Sequence, residues 1–242
     1  MCWVVAGLPK HQRCLVKIIL MHKLDHIVLG CKTLQEGTDY VEKKLGLSLS
    51  EIGYHHHMGT HNRVIKIGEN IYLEVIAIDP NANKPKHFRW FNLDNKEQQA
   101  RLKISPEIIG YVIENENPDM LKFYNPFFEA SRGDYCWEFA IPKSDNSLIN
   151  DELIESGLVP SLINWKSKKP VYQMVDNHFQ LEKIQFELTQ NHMEYKSYKN
   201  VLGDVEKLEL IFKNKTDAFL LNKHPKINII IRDKKKNSII TL

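Results

Sequence analysis

Leu24-Asp25-His26-Ile27-Val28-Leu29 and Ile71-Tyr72-Leu73-Glu74-Val75-Ile76 are two apolar runs, each with one potential metal ligand in its interior, His26 in the first and Glu74 in the second. Between them lies a histidine-rich segment, His55-His56-His57-Met58-Gly59-Thr60-His61-Asn62. Both runs read as buried strands. Side chains alternate between the two faces of a strand, so His26 shares a face with Val28, and Glu74 shares one with Tyr72.

Working outward, residues 24–31 form a strand, and Thr33-Leu34-Gln35-Glu36 is a capping box that starts a helix. Leu34, Val41 and Leu45 fall on one helical face, and Gly46 supplies a stop. Strand-like runs follow at 47–52, 63–67 and 71–78, with Gly68-Glu69-Asn70 as the turn before the last. The unit is β-α-β-β-β. Residues 81–103 form a polar connection around Phe88, Trp90 and Phe91, with one helix over 95–102. A second, less regular unit places strands at 108–113, 135–141 and 158–165 and a helix at 118–130.

A constant offset of 157 aligns a third unit with the first: Asp25 on Glu182, Ile27 on Ile184, Val41 on Tyr198, Leu45 on Leu202 and Gly46 on Gly203. Strands are expected over 205–212, 226–231 and 238–242. Because one such unit leaves a sheet face bare, copies must pair. The expected fold is α+β: tandem βαβββ modules over 21–170 curl into a half-open barrel, and a third βαβββ-like module fills 171–242. Residues 1–20 are expected to be an N-terminal extension. An odd number of modules also calls for a homodimer or a packed lid over the unpaired half.

The chain has 242 residues, 43% of them hydrophobic, enough for a sizeable core. A formal charge of +3 with no aromatic-interleaved basic surface argues against nucleic acid. Cys2, Cys14, Cys31 and Cys136 form no C-x-x-C pair, which fits a reducing cytoplasm, and no apolar run reaches the ~20 residues of a membrane span.

Taken together, Leu24-Asp25-His26-Ile27-Val28, His55-x-x-x-Gly59-Thr60-His61-Asn62, Tyr72-Leu73-Glu74-Val75-Ile76 and Leu158-Val159-Pro160-Ser161-Leu162-Ile163-Asn164-Trp165 resemble the glyoxalase-like branch of the vicinal oxygen chelate superfamily. The resemblance implies paired βαβββ modules and a divalent metal held by the first and last strands of each. His26 and Glu74 match the first module's pair. The second offers Gly110 or Tyr111 and Asn164 instead, and the third offers Lys183, so four ligands cannot be assembled from matched positions.

A histidine in an apolar strand is by itself more often a hydrogen-bonded core residue than a ligand, but a buried carboxylate such as Glu74 demands a partner or a polar cavity. The expected site therefore has Glu74 as the catalytic group and His26 and Glu74 as metal ligands. His55, His57 and His61 stand ready to complete the shell, and Asn62, Thr60 and Asn164 to contact substrate. Imidazole and carboxylate suit Zn, Ni, Fe, Co or Mn without choosing among them. The expected function is that of a metal-dependent lyase, isomerase or dioxygenase acting on a small oxygen-rich molecule. The alternative is a metal-free small-molecule-binding protein with a degenerate site.

Overall fold

The computed structural model describes residues 21–114, 118–143, 151–188, 203–212 and 225–242. The 1–20 extension and the third unit's expected helix lie outside these residues. The first module runs from β1 (Met21–His22) and β2 (Leu24–Gly30) through α1 (Leu34–Leu45) to β3 (Gly53–His55), β4 (Thr60–Lys66) and β5 (Tyr72–Ile78). The capping box closes as expected: the Thr33 hydroxyl accepts from the Glu36 amide at 3.3 Å, and the Glu36 carboxylate accepts from the Thr33 amide at 3.2 Å. Gly46 ends α1 at φ 71. Residues 47–52 are irregular rather than a strand: Ser50 donates its amide to the Val64 carbonyl, but the return bond goes to its side chain. Its Oγ accepts from the Val64 amide, and its carbonyl accepts from the Arg63 guanidinium, in place of a continuous ladder.

In the connection, Asn95 caps α2 (Lys96–Leu102), its side chain accepting from the Gln98 amide. The second module comprises β6 (Glu107–Glu114), β7 (Phe128–Arg132), β8 (Tyr135–Ala140), the short α3 (Asp151–Glu155) and β9 (Ser161–Trp165). The helix expected over 118–130 shrinks to a 3-10 turn at Pro118–Phe123. Pro126 cannot continue a helix and disfavours helical geometry at Asn125, so Phe128 onward pairs with β8 as a strand.

The two modules share one eight-stranded sheet in the order β3-β4-β5-β2-β6-β9-β8-β7. Strands β2 and β6 meet antiparallel at its centre, and each pairs in parallel with the closing strand of its own module. Edge strands β3 and β7 approach each other, so the sheet is a nearly closed barrel.

Strands β10 (Phe179–Leu188), β11 (Asp204–Val205), β12 (Leu208–Phe212), β13 (Lys226–Asp233) and β14 (Ser238–Thr241) follow. Lys207, at φ 62, divides the run expected over 205–212, and β11 pairs with β1 instead. The four-stranded sheet has the order β12-β10-β13-β14, so its opening strand lies between the second and third rather than beside the last.

The barrel's outer face forms the larger core. Leu34, Val41 and Leu45 of α1 cover the first module; Phe179, Leu181, Ile184 and Phe186 of β10 join the same cluster as Tyr111 and Ile113 of β6. Tyr111 and Phe186 meet edge to face at 5.7 Å. The C-terminal sheet thus packs against the second module's outer face, where its reduced helices leave apolar surface. Inside the barrel, Val28, Ile76, Val112, Trp137, Phe139 and Ile163 form a second cluster. Among the described residues no helix is long and apolar enough to cross a membrane.

Candidate functional site

His26 projects from the inner face of β2, and Glu74 from β5 beside it; their facing atoms, Nε2 and Oε2, are 3.6 Å apart. Both residues are buried. Each is tied down from behind. The Asn62 side-chain amide donates to Glu74 Oε1 at 2.6 Å, and His26 Nδ1 meets Asp25 Oδ1 at 2.7 Å. With its Nδ1 proton directed to a carboxylate, His26 leaves Nε2 facing Glu74 and the cavity.

Strict alternation would put Asp25 on the outer face. The register between β2 and β6 slips between Leu24 and His26, and this bulge brings consecutive side chains into one network. Asp25 is 1% exposed, and a carboxylate so buried needs strong partners. It has them: Trp165 Nε1 donates to its Oδ2 at 2.8 Å, and Lys169 Nζ lies 3.8 Å away while also pairing with Glu114. Tyr72 stacks on His26 with centroids 4.7 Å apart. Burial, reinforced by the charges of Asp25 and Glu74, pushes the Tyr72 hydroxyl well above its ordinary pKa, so it stays protonated.

The opposite wall comes from the second module. Arg132, at the end of β7, donates from a guanidinium nitrogen to Asn62 Oδ1 at 2.7 Å, and so extends the chain Asp25, His26, Glu74, Asn62 by a cation. It reaches the first module because residue 53 is glycine: a Cβ there would lie 2.1 Å from the Arg132 nitrogen. Trp90, Phe91, Tyr135, Trp137, Phe139 and Trp165 complete an aromatic lining. The enclosed space is about 40 Å³, roughly that of three waters.

The other expected site residues disperse. His55 lines the cavity, but its Nδ1 is 3.2 Å from the Thr60 hydroxyl and its ring meets Trp90 edge-on at 4.9 Å. Burial above all, then the Arg132 charge, lowers its pKa to about 3, so it is a neutral, hydrogen-bonded histidine. Thr60 holds His55 and does not line the cavity. His57 is exposed and lies 4.5 Å from the His87 ring, outside the barrel. His61 alternates with Asn62 and falls on the other face of β4. Asn164 likewise falls on the outer face of β9, 3.4 Å from Glu138, while Ile163 and Trp165 occupy the inward positions.

For a divalent metal, His26 Nε2 and Glu74 Oε2, 3.6 Å apart, come close to adjacent corners, since neighbouring ligands at ~2.1 Å from an ion lie roughly 3–3.5 Å apart. The Asp25 contact to the far ring nitrogen is the outer-shell arrangement usual behind a ligating histidine. The set stops at two: among the described residues no group of three or more His, Cys, Asp or Glu side chains is placed to hold a metal ion.

Sequence reasoning missed Asp25, Arg132 and Lys169 as site residues. Asp25 had a legible signal, a carboxylate inside an apolar strand beside His26. Arg132, in Ser-Arg-Gly-Asp, had none.

Residues 24–202 match the family model described as a glyoxalase-like domain. The chain belongs to this family. Solved structures similar to this glyoxalase-like protein include methylmalonyl-CoA epimerase from Streptomyces coelicolor in complex with 2-nitronate-propionyl-CoA. It is 13% identical, with 60% of this chain and 94% of that one covered and a TM-score of 0.40. The Mycobacterium tuberculosis methylmalonyl-CoA epimerase is 11% identical, with 67% and 99% covered and a TM-score of 0.38. No curated protein is recognisably similar in sequence.

Proposed function

We propose that the barrel cavity is the active site of an enzyme that moves a proton on a small oxygen-rich organic acid, an isomerase- or lyase-type step. The observation that carries this reading is the buried pair His26 and Glu74, 3.6 Å apart, each fixed from behind by Asp25 or Asn62. Fixed orientation of an acid–base pair is what general acid–base catalysis requires.

Glu74 Oε2 accepts the proton from the carbon beside a substrate carbonyl, and the C–H electron pair shifts onto the carbonyl oxygen as an enolate. That proton passes from Glu74 to His26 Nε2 on the same wall, with Asp25 behind the ring, and is returned from Nε2 to carbon or oxygen. The Arg132 guanidinium faces the pair from the second module and fixes the acid's anionic end, which orients the reacting carbon toward Glu74. The aromatic lining excludes water, which strengthens each of these interactions.

The experiment is proton NMR in D2O with a panel of small 2-oxo and 2-hydroxy acids. The expected result is enzyme-dependent deuterium uptake at the carbon beside the carbonyl, abolished in Glu74→Gln. Ligand binding without uptake by any member of the panel would sink the enzyme reading and favour a binding protein.

A second reading rests on the same pair and its outer partners. His26 and Glu74 would hold a divalent ion (Zn, Ni, Fe, Co or Mn), which when bound supplies a Lewis acid for a substrate oxygen. Elemental analysis of the native protein and of His26→Ala decides it: stoichiometric metal lost in the variant supports this reading, and equal trace metal in both refutes it.

A further inference from the structure

Arg132, Tyr135, Val64 and Pro170 line the small cavity and also a much larger groove of about 1050 Å³ outside it. The cavity and the groove therefore adjoin at Arg132. Among the described residues no carboxylate lies within ion-pairing distance of Arg132, whose one fixed side-chain bond goes to Asn62. A half-buried cation with donors to spare, at the neck between two compartments, is suited to an anionic group of a ligand.

The groove has a different chemistry from the neck. Ile52, Tyr54 and Val175 line it and are unusually exposed for apolar residues, at 38%, 45% and 86%, and Leu49 and Met174 lie beside them. Beyond Arg132 at the neck, its Asp, Glu and Lys side chains are Glu51, Asp134 and the ion pair of Lys66 with Asp176 at 2.5 Å. Such a surface welcomes an apolar chain and repels a polyanionic one.

Resting on the active-site reading above, we propose that the substrate is an organic acid in two parts. A carboxylate bound at Arg132 places a short oxygen-rich head beside His26 and Glu74, and an uncharged apolar tail occupies the groove along Ile52, Tyr54 and Val175. The groove's volume is that of a whole drug-sized ligand, whereas the cavity admits only the head. A nucleotide-bearing tail is disfavoured by the carboxylates of Glu51 and Asp134.

The test is isothermal titration of the full chain with unbranched 2-oxo monocarboxylates of three to ten carbons, with free coenzyme A as the polyanionic comparison. The expected result is an affinity rising about fourfold per added methylene, with no measurable binding of coenzyme A. Ile52→Asp is expected to flatten that rise, and Arg132→Gln to weaken every acid in the series. Equal affinity at all lengths, a rise untouched by Ile52→Asp, or tight coenzyme A binding would each overturn the two-part substrate. Deuterium uptake in short acids would then still stand for the active site; a steep rise with no uptake in any acid would sink the active site and leave the groove.

Discussion

The two halves of the eight-stranded sheet share a topology and differ in what they bring to the cavity. The first module supplies the groups that can exchange protons, His26 and Glu74, with Asp25, Asn62 and Tyr72 around them. The second supplies a cation and aromatic walls: Arg132, Tyr135, Trp137 and Trp165. Where a symmetric site would place a second pair of ligands, the inward positions of β6 and β9 hold Gly110, Val112, Ile163 and Trp165 instead. Under the proposed function, the duplicated scaffold divides its labour, with chemistry in one half and recognition in the other.

The largest effect is expected from Glu74→Gln, which removes the base and leaves its shape. Exchange falls about 10²–10⁴-fold while acid ligands still bind, as rate and titration together will read. In the other half, Arg132→Gln weakens affinity roughly 10–100-fold, the value of a charge-assisted bond, with a smaller change in exchange at saturation. Asp25→Asn, behind the acid–base pair, lowers the rate about 10–100-fold. The carboxylate that orients the His26 ring is then lost. Gly53→Ala sharpens the link between the halves: the new Cβ displaces Arg132, and affinity drops several-fold without loss of Glu74 chemistry.

The smallest effect concerns stability, and it belongs to the first half. His55 is held neutral with a pKa of about 3, below its unfolded value of 6.5, so the unfolded chain binds the proton first. Stability is complete above pH 6.5 and declines as pH falls towards 3, by up to about 1.4 kcal/mol per unit. Denaturant titrations of wild type and His55→Gln across that window should show a shallower acid decline in the variant.

Much of this division could be read before any coordinates. The capping box at Thr33, the glycine stop at Gly46, the paired βαβββ modules and the inward direction of His26 and Glu74 all follow from local chemistry and strand periodicity. Asn62 also reached the site, by its bond to Glu74. The failures have physical causes. The histidine cluster promised ligands, but alternation along β4 turns His61 away, and His55 is consumed by Thr60 and Trp90. Asn164 was assigned one residue out of phase with Ile163 and Trp165. Asp25 entered through a bulge, which no period-two rule anticipates, and Arg132 arrives from a strand that read as the end of a helix. Long-range contacts of this kind are set by how the sheet curls, not by any local motif.

The most direct test of the division is a steady-state split on one exchanging acid, with kcat and ligand Kd measured for wild type, Glu74→Gln and Arg132→Gln. The expected result is a collapse of kcat with Kd retained for Glu74→Gln, and a raised Kd with kcat largely retained for Arg132→Gln. Loss of the same quantity in both variants would contradict a cavity whose two halves perform different tasks.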